Sequence, residues 1–287
     1  MYLTMDFNLT SPSIIEDILK QAAERCILPY YKQLQSRQIE TKSGPDDLVT
    51  IADKESEAFI TRELQEQFPD HVIFGEESFY ADADRLKDTI SRAADRPIWI
   101  IDPVDGTHNF AHGKRHFAVL LACVVDGITK YGWIYDVLGD ATIFAEKGKG
   151  ATLDGAPLHI TDVPSSLASA SGYAAKKFFK KDAKQAVTDL ERCVAEQTTL
   201  RCSAHEYWAV ATGQRQYIIS TKMKPWDHLA GSLIVREAGG VVRKFDMTPY
   251  DLQTGHHGAM IVAANEDIWQ QIYETTAKYF GPTPASP

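Results

Sequence analysis

Cysteine, positive charge and long hydrophobic runs are all scarce in this sequence. The 287 residues include four cysteines and no CxxC pair, so we expect a reduced, cytoplasmic protein rather than a disulfide framework or a thiolate zinc site. The N-terminal segment lacks the positive charge of a signal peptide, and the longest wholly apolar run, residues 117–125, is too short to span a membrane. The net charge of −9, without a basic stripe, argues against a nucleic-acid-binding surface.

The residues that are present are typical of a globular protein. With 44% hydrophobic and 24% charged residues, the chain can bury a sizeable core. Up to about residue 160, helical patterns are followed by strands and tight turns, and beyond it strands and helices alternate. We therefore predict an α+β or α/β fold in two parts. Residues 1–160 form N-terminal helices and an antiparallel sheet with most of the candidate site residues, and residues 161–287 form an alternating α/β half.

Two capping patterns predict where the first helices begin. Ser13 and Glu16 form a capping box ahead of apolar residues at four-residue spacing, which predicts a helix to about residue 34, kinked or ended early by Pro29. Thr50 and Asp53 form a second capping box. Asp53 is therefore expected in the first turn of a helix, where the helix dipole favours its ionised form.

The stretch PIWIIDPVDGTHNF, residues 97–110, is the most informative part of the chain. Its apolar residues predict a buried strand that ends at Asp102, and a second carboxylate, Asp105, follows three residues later beside Gly106. Two like charges in a tight turn are unfavourable unless a cation lies between them. Because hard oxygen ligands are present without a nearby Cys or His pair, Mg²⁺ or Mn²⁺ fits better than zinc. A solvated Asp-Pro/Asp-Gly turn is the alternative interpretation.

Two further apolar segments also end in an acidic residue. Glu76 follows a predicted strand, residues 72–74, and Asp227 follows an apolar tryptophan where a helix is predicted to begin. A two-metal centre needs bridging and terminal carboxylates from separate chain segments. The candidates are Glu76, Asp102, Asp105 and Asp227, with the main-chain carbonyl of Val104 as a further ligand. As an alternative, Asp227 serves only as a helix cap.

Three motifs together resemble the inositol monophosphatase family of Mg²⁺-dependent, lithium-sensitive sugar phosphatases. They are GEES, WIIDPVDGTHNF and KPWDHLAGSLIVREAGG, and the likeness covers roughly residues 15–265. The resemblance implies a layered αβαβα sandwich of the inositol monophosphatase and fructose-1,6-bisphosphatase type, assembled as a homodimer. It also implies a phosphate monoester hydrolase that binds two or three Mg²⁺ ions and acts on a small sugar or inositol phosphate through a metal-activated water.

The same resemblance implies a ligand set for the metals. Glu76, Asp102 and the carbonyl oxygen of Val104 match the ligands of a first metal ion. Asp102, Asp105 and Asp227 match those of a second. Glu76 also matches a contact, partly through water, to a third and more loosely held metal ion.

Catalytic and phosphate-binding residues are implied in the same way. Asp53 and Thr107 match the pair that activates the attacking water, and the backbone amides of Gly106 and Thr107 match those that hold the phosphate. Lys42 matches the lysine near the mobile metal site. From the local sequence, Asp53 fits an ordinary capping-box residue equally well, and Lys42 fits a solvated lysine in a loop.

The substrate pocket is where this sequence departs from the family. His108 stands where the family usually has a second threonine, and Arg201 begins the segment that aligns with the family's small residues lining the sugar pocket. Ser220 stands where the inositol phosphatases carry an acid for sugar hydroxyls. Arg201 would suit a second anionic group or a carboxylate. Histidinol phosphate, a 3′-phosphoadenosine nucleotide and fructose 1,6-bisphosphate are therefore alternative substrates to an inositol phosphate.

Two other interpretations compete with this one, and one further metal-site candidate is weaker. The DGT segment is similar to that of the aspartyl-nucleophile phosphatases of the haloacid dehalogenase type, but their motif is DxDGT and here two residues separate Asp102 from Asp105. Some members of the family act through partner proteins in RNA metabolism, so a non-catalytic role is an alternative. His256 and His257 lie between glycines and predict a loop rather than a metal pair.

Overall fold

Two main β-sheets and three layers of helices make up the protein. The computed structural model describes residue 9 and residues 11–44, 47–81, 96–179, 181–252 and 258–280. The strands in these residues are β1 (Ile39–Gly44), β2 (Asp47–Thr50), β3 (Val72–Gly75), β4 (Ile98–Asp105), β5 (Ala118–Val125), β6 (Ile128–Asp136), β7 (Ala141–Glu146), β8 (Gly150–Leu153), β9 (Ala156–Leu158), β10 (Ser171–Tyr173), β11 (Glu196–Thr198), β12 (Tyr217–Ser220), β13 (Val241–Lys244) and β14 (Met260–Ala263). The α-helices in these residues are α1 (Pro12–Ala22), α2 (Ile51–Gln67), α3 (Glu76–Ala81), α4 (Thr107–Ala111), α5 (Lys181–Glu191), α6 (Ser203–Ala211), α7 (Pro225–Glu237) and α8 (Glu266–Thr276).

The larger sheet contains seven strands in the order β3-β4-β5-β6-β7-β8-β9. Within it, β3 and β4 run parallel and the other neighbours are antiparallel. The hairpin between β5 and β6 is the one predicted from Asp126-Gly127, and both turn residues have the positive φ that a tight hairpin turn requires. The smaller sheet has the order β11-β10-β12-β14-β13, and β1 pairs with β2 in a separate ribbon.

Alternating side chains of these strands separate three apolar cores. Residues on one face of the large sheet, such as Trp99, pack with α1 and α2. Residues on its other face, such as Ile100, pack with α6, α7 and the near face of the small sheet, which includes Ile218. The far face of the small sheet, which includes Ile219, packs with α5 and α8. The layers therefore follow the order αβαβα, and the predicted fold is confirmed.

The central core joins the two predicted parts of the chain. Ile100 from residues 1–160 and Ile218 from residues 161–287 belong to one cluster of buried residues. The description as two parts stays a prediction, because both sheets contribute side chains to the same apolar layer.

An irregularity in β4 shapes the site. The register between β4 and β5 shifts between Asp102 and Asp105, so the strand is bulged at this point. Pro103 has no N–H group to donate to the ladder, which explains why the regular pairing breaks here. The bulge lets the strand continue to Asp105 while the carboxylates of Asp102 and Asp105 both face the same cavity.

Two local predictions about helix starts are wrong. The first helix begins at Pro12 after Ser11, without a side-chain cap, so Ser13 does not cap it. Its end agrees with the early stop predicted from Pro29, because the helix gives way to a π-turn and a short 3₁₀ segment that ends at Tyr30. Asp227 does not cap α7, because Lys224 occupies the cap position and Asp227 is the third helical residue. The capping box formed by Thr50 and Asp53 is confirmed.

Residues 11–81 and 96–280, as far as they are described, contain no helix that is both long enough and apolar enough to cross a bilayer. His256 and His257 lie outside the described residues, as does most of the polar stretch before residue 96.

Candidate metal centre

Three carboxylates from different parts of the chain converge. Each of Glu76, Asp102 and Asp227 offers an oxygen, and these oxygens all lie within 4.8 Å of one another. Glu76 begins α3 directly after β3, and Asp102 lies in the neighbouring parallel strand, where Gly75 is in register with Ile101. Asp227 approaches from the first turn of α7, which packs against the same sheet. The sequence therefore predicted correctly that these three acids come together.

Burial makes this cluster electrostatically unfavourable without a cation. Burial, with repulsion from Glu76 and Asp105, raises the pKa of Asp102 well above its ordinary value. Burial also raises the pKa of Asp227 to about 7, with Lys222 opposing the shift and Glu76 adding to it. A group of hard oxygen donors that repel one another is the donor set that Mg²⁺ takes in proteins. The residues present therefore fit a divalent cation.

Asp105 borders the cluster but is partly engaged elsewhere. Its Oδ2 accepts the backbone N–H of Ala204 at 2.5 Å and the thiol of Cys202 at 3.1 Å. Both hydrogen bonds are accepted by Oδ2, and Oδ1 takes part in neither of them. Asp105 thus links the metal cluster to the first turn of α6, and it lines the same cavity as Val104.

Lys42 lies behind Glu76 rather than among the residues that line the cavity. Its ammonium nitrogen lies 2.9 Å from Glu76 Oε1 and 2.6 Å from Glu77 Oε1, and the side chain is 6% exposed. Burial opposes the positive charge, but the two carboxylates outweigh it and raise the pKa of Lys42. The interpretation of Lys42 as a solvated loop lysine is therefore wrong.

Asp53 is fixed by hydrogen bonds to both of its carboxylate oxygens. Oδ2 accepts the backbone N–H of Thr50 at 2.8 Å and its hydroxyl at 2.6 Å, and Oδ1 lies 2.9 Å from the hydroxyl of Thr107. Burial raises the pKa of Asp53 to about 6, although these hydrogen bonds oppose the shift. Burial thus outweighs the helix dipole, and the carboxylate is still mostly ionised at neutral pH.

The Thr107 hydroxyl sits between two acceptors. It lies 2.9 Å from Asp53 Oδ1 and 2.9 Å from the carbonyl oxygen of Val104. Both are oxygens without protons when Asp53 is ionised, so the single hydroxyl proton points toward one of them. The oxygen of Thr107 then keeps a lone pair for a further donor.

Gly106 is required by the backbone at the start of α4. Its φ is +86°, and a Cβ atom here would lie 2.6 Å from the carbonyl oxygen of His116. The carbonyl of Gly106 accepts the N–H groups of Asn109 and Phe110, so the helix begins here. The first amides of a helix have no partner inside the helix, which suits them to an anion.

A cavity of about 170 Å³ contains most of the predicted site. Its lining includes the metal-ligand candidates and the predicted phosphate- and substrate-binding residues, but neither Lys42 nor Asp53. The site residues in the lining are Glu76, Asp102, Val104, Asp105, Gly106, Thr107, His108, Arg201, Ser220 and Asp227. One cavity thus brings acids, helix amides and a guanidinium together.

The loop that carries Arg201 is held by the half-buried carboxylate of Glu206. Glu206 Oε1 accepts the hydroxyl of Thr199 at 2.9 Å and the N–H of Leu200 at 2.8 Å. Arg201 itself has a φ of +55°, in the left-handed region, immediately before α6 begins. The carboxylate therefore fixes a strained turn at the cavity wall.

Two elements of the site were not predicted from the sequence. Glu57 lies behind the N-terminus of α3, where its carboxylate accepts the backbone N–H groups of Glu77 and Ser78. Its spacing of four residues from Asp53 puts both acids on one face of α2, and that spacing was the available signal. His228 is buried beside Asp227 and contacts the hydroxyl of Tyr207, and no pattern in the sequence indicated it.

Comparison with known proteins decides the family. The sequence profile of the inositol monophosphatase family matches residues 13–281. The chain belongs to the inositol monophosphatase family. It is 33% identical over 243 residues to the inositol-1-monophosphatase of Bacillus subtilis, covering 84% of this chain and 87% of that protein. It is 34% identical over 236 residues to Nus factor SuhB of Haemophilus influenzae, covering 81% and 83%.

A solved structure agrees with this assignment. The Thermotoga maritima IMPase superposes with a TM-score of 0.77 and 25% identity, covering 93% of this chain and 96% of that one. Membership of the inositol monophosphatase family makes the protein a phosphatase of this Mg²⁺-dependent superfamily. The acidic cluster of Glu76, Asp102 and Asp227 is where the structure can hold the metal.

Proposed function

We propose that the protein hydrolyses the phosphate monoester of a small sugar or inositol phosphate in the cavity that contains Asp102 and Asp227. The observation that carries this proposal is the meeting of three carboxylate oxygens within 4.8 Å of one another, close to a hydroxyl that is hydrogen-bonded to a buried carboxylate. The first group can hold cations and the second can accept a proton. Together they supply what hydrolysis by water requires.

The metal ions would be held by the residues of the cluster. Glu76, Asp102 and the Val104 carbonyl are the proposed ligands of one Mg²⁺, and Asp102, Asp105 and Asp227 those of a second. A third ion at Glu76, and Mn²⁺ in place of Mg²⁺, fit the same oxygen donors. When bound, such ions neutralise the acids, polarise the phosphoryl group and lower the pKa of water.

The Asp53–Thr107 pair is the proposed proton acceptor. Thr107 donates its hydroxyl proton to the ionised Asp53 at 2.9 Å, which orients its lone pair toward the cavity to receive a proton from the attacking water. The two hydrogen bonds from Thr50 hold Asp53 in place during this step.

Phosphate binding is assigned to the start of α4. The backbone amides of Gly106 and Thr107 lie at a helix N-terminus that lines the cavity, where their partial positive charge favours the phosphate oxygens. Lys42, paired with Glu76, would act indirectly by holding that carboxylate.

Phosphate release from a panel of phosphomonoesters tests the proposal. With Mg²⁺ present, the protein should release phosphate from at least one sugar or inositol phosphate, and EDTA should abolish the release. An Asp102→Asn variant should lose at least about a hundredfold in kcat. Failure on every ester of the panel would defeat the proposal. Phosphate trapped covalently on Asp102 would instead support the haloacid dehalogenase mechanism.

A role through partner proteins is the second candidate, because one relative is named Nus factor SuhB. We favour catalysis, since all the proposed metal-ligand positions carry oxygen donors. An Asp105→Asn variant that retained full function in cells would support the non-catalytic role. We further propose a cytoplasmic homodimer, in which the four cysteine thiols stay free.

A further inference from the structure

The carboxylate of Asp105 is held from one side by the start of α6. Its Oδ2 accepts the backbone N–H of Ala204 at 2.5 Å and lies 3.1 Å from the Sγ atom of Cys202. The backbone carbonyl oxygen of Asp105 lies 3.7 Å from the same sulfur. Both oxygens near the sulfur therefore belong to one residue, which is a proposed ligand of the second Mg²⁺.

The thiol of Cys202 is the donor in its contact with Asp105. An ionised carboxylate or a carbonyl oxygen can only accept a hydrogen bond, and a thiol carries its proton at neutral pH. Oδ2 is the nearer acceptor and shares the negative charge, so the S–H group points at it. Because Cys202 is 2% exposed, bulk water does not compete for this proton. Two donors thus converge on Oδ2 and leave Oδ1 to a cation.

The position of the thiol is fixed by its surroundings. Gly106 leaves the space that the sulfur occupies, because a Cβ atom there would lie 3.1 Å from Cys202 Cβ and 3.3 Å from Sγ. The loop before Cys202 is tied to α4 by Asn109, whose Nδ2 donates to the carbonyl oxygen of Leu200 at 2.8 Å. The packing and the loop together hold the donor against Asp105.

We infer that Cys202 is a positioning residue for the second metal ion, because its thiol and the N–H of Ala204 fix the Asp105 carboxylate with Oδ1 presented to the cation. The inference rests on the proposed function, which makes Asp105 a metal ligand. Loss of a donor behind a ligating group typically costs about 10–100-fold in metal affinity. A thiol is a weak donor and the N–H of Ala204 remains, so we expect a loss of about tenfold.

Mg²⁺ binding to variants of Cys202 tests the inference. Titration calorimetry without substrate should show that Cys202→Ala binds one Mg²⁺ about tenfold more weakly than the unsubstituted protein. Cys202→Val fills the space but cannot donate, so it should show the same loss. Cys202→Ser keeps a donor and should stay within about twofold of the unsubstituted protein. If phosphate is released, the Mg²⁺ concentration for half-maximal release should follow the same order.

Cys123→Ala is the matched control. Cys123 is also fully buried, but it lies in the core on the other face of the large sheet, with Trp99. Its replacement removes the same sulfur atom, so it should lower stability without changing the affinity for Mg²⁺.

Unchanged Mg²⁺ affinity in Cys202→Ala and Cys202→Val would overturn the inference. An equal loss in Cys202→Ser, or in Cys123→Ala, would also overturn it, because the effect would then come from packing rather than from the donor. If the unsubstituted protein binds Mg²⁺ but releases phosphate from no ester, the proposed hydrolysis fails, and the calorimetry still decides the role of Cys202. A protein that binds no Mg²⁺ would overturn both.

Discussion

Glu57 binds the first turn of the helix that carries Glu76, because its Oε2 accepts the backbone N–H of Glu77 at 2.8 Å. Its Oε1 accepts the N–H of Ser78 at 2.9 Å. The approach is close, since a Cβ atom on Gly75 would lie 2.1 Å from the Glu57 carboxyl carbon. Glu57 therefore sets the position of the helix start from which Glu76 reaches the metal cluster.

Replacing Glu57 should weaken both the fold and the metal site. Glu57→Ala leaves two backbone N–H groups without their acceptor, so we expect a loss of about 2–3 kcal/mol in the free energy of unfolding. Because Glu76 is no longer held, the Mg²⁺ concentration for half-maximal activity should rise severalfold. Urea denaturation and Mg²⁺ titration of phosphate release measure the two effects.

Glu66→Ala is the matched control for this experiment. Glu66 is an exposed acid on the same helix, and its replacement should change stability by no more than about 0.5 kcal/mol. An unchanged Mg²⁺ requirement in Glu57→Ala would contradict the proposed link between Glu57 and Glu76.

A pair of glycine variants separates backbone strain from crowding at the phosphate-binding turn. Gly106 and Gly148 both have positive φ, +86° and +76°. Gly148 has no atom within 4 Å of an added Cβ, so Gly148→Ala should cost about 1–2 kcal/mol from φ alone. Gly106→Ala should cost about 3–4 kcal/mol, because the methyl group also meets the His116 carbonyl. Phosphate release should fall more than about tenfold for Gly106→Ala only. Equal losses of stability would show that the His116 contact relaxes freely.

The metal cluster was predictable because each of its acids directly follows an apolar segment or an apolar residue that the sequence marks clearly. Glu76 follows a strand of four residues, and Asp102 lies within a buried strand that also ends in an acid, Asp105. Strong apolar runs locate these elements, and the chain has few ways to bring their ends together. The family motifs identified Asp227 as the remaining member of the cluster. Its interpretation as the cap of α7 was wrong, because Asp227 is the third residue of that helix.

The interactions behind the cluster were not predictable, because they depend on tertiary packing. Glu57 and His228 have ordinary local sequences. Their roles arise only when the chain folds, because Glu57 contacts the start of α3 and His228 contacts the end of β12. The burial that raises the pKa of Asp53 to about 6 was missed for the same reason. The sequence places Asp53 in the first turn of a helix, where the dipole lowers its pKa, but it does not show the burial that raises that pKa.

The Thr107 hydroxyl should be essential, and the ionised form of Asp53 should set the acidic limb of the activity profile. Thr107→Val removes the proton relay and should lower kcat by about a hundredfold to ten-thousandfold, whereas Thr107→Ser should retain most activity.

Asp53 acts as an ionised acceptor with a pKa of about 6, so activity should be present above this pH and lost as the pH falls through it. A pH–rate profile that stays flat between pH 5 and 7 would contradict this assignment.

The metal-free protein should be destabilised by its own carboxylates, and Asp227→Asn should reveal this. The pKa of Asp227 is about 7 in the folded state, above its unfolded value, so the folded state binds the extra proton. Stability from this group is therefore present at low pH and lost as the pH rises through about 7.

In EDTA at pH 8, Asp227→Asn should be more stable than the unsubstituted protein by about 1–3 kcal/mol, and this difference should shrink toward pH 5. Mg²⁺ should raise the melting temperature of the unsubstituted protein at pH 8 more than that of Asp227→Asn, because the variant loses a ligand of the second ion and keeps all the proposed ligands of the first. Thermal denaturation at both pH values, with EDTA or Mg²⁺, measures these differences, and an Asp227→Asn variant less stable than its parent in EDTA at pH 8 would contradict the argument.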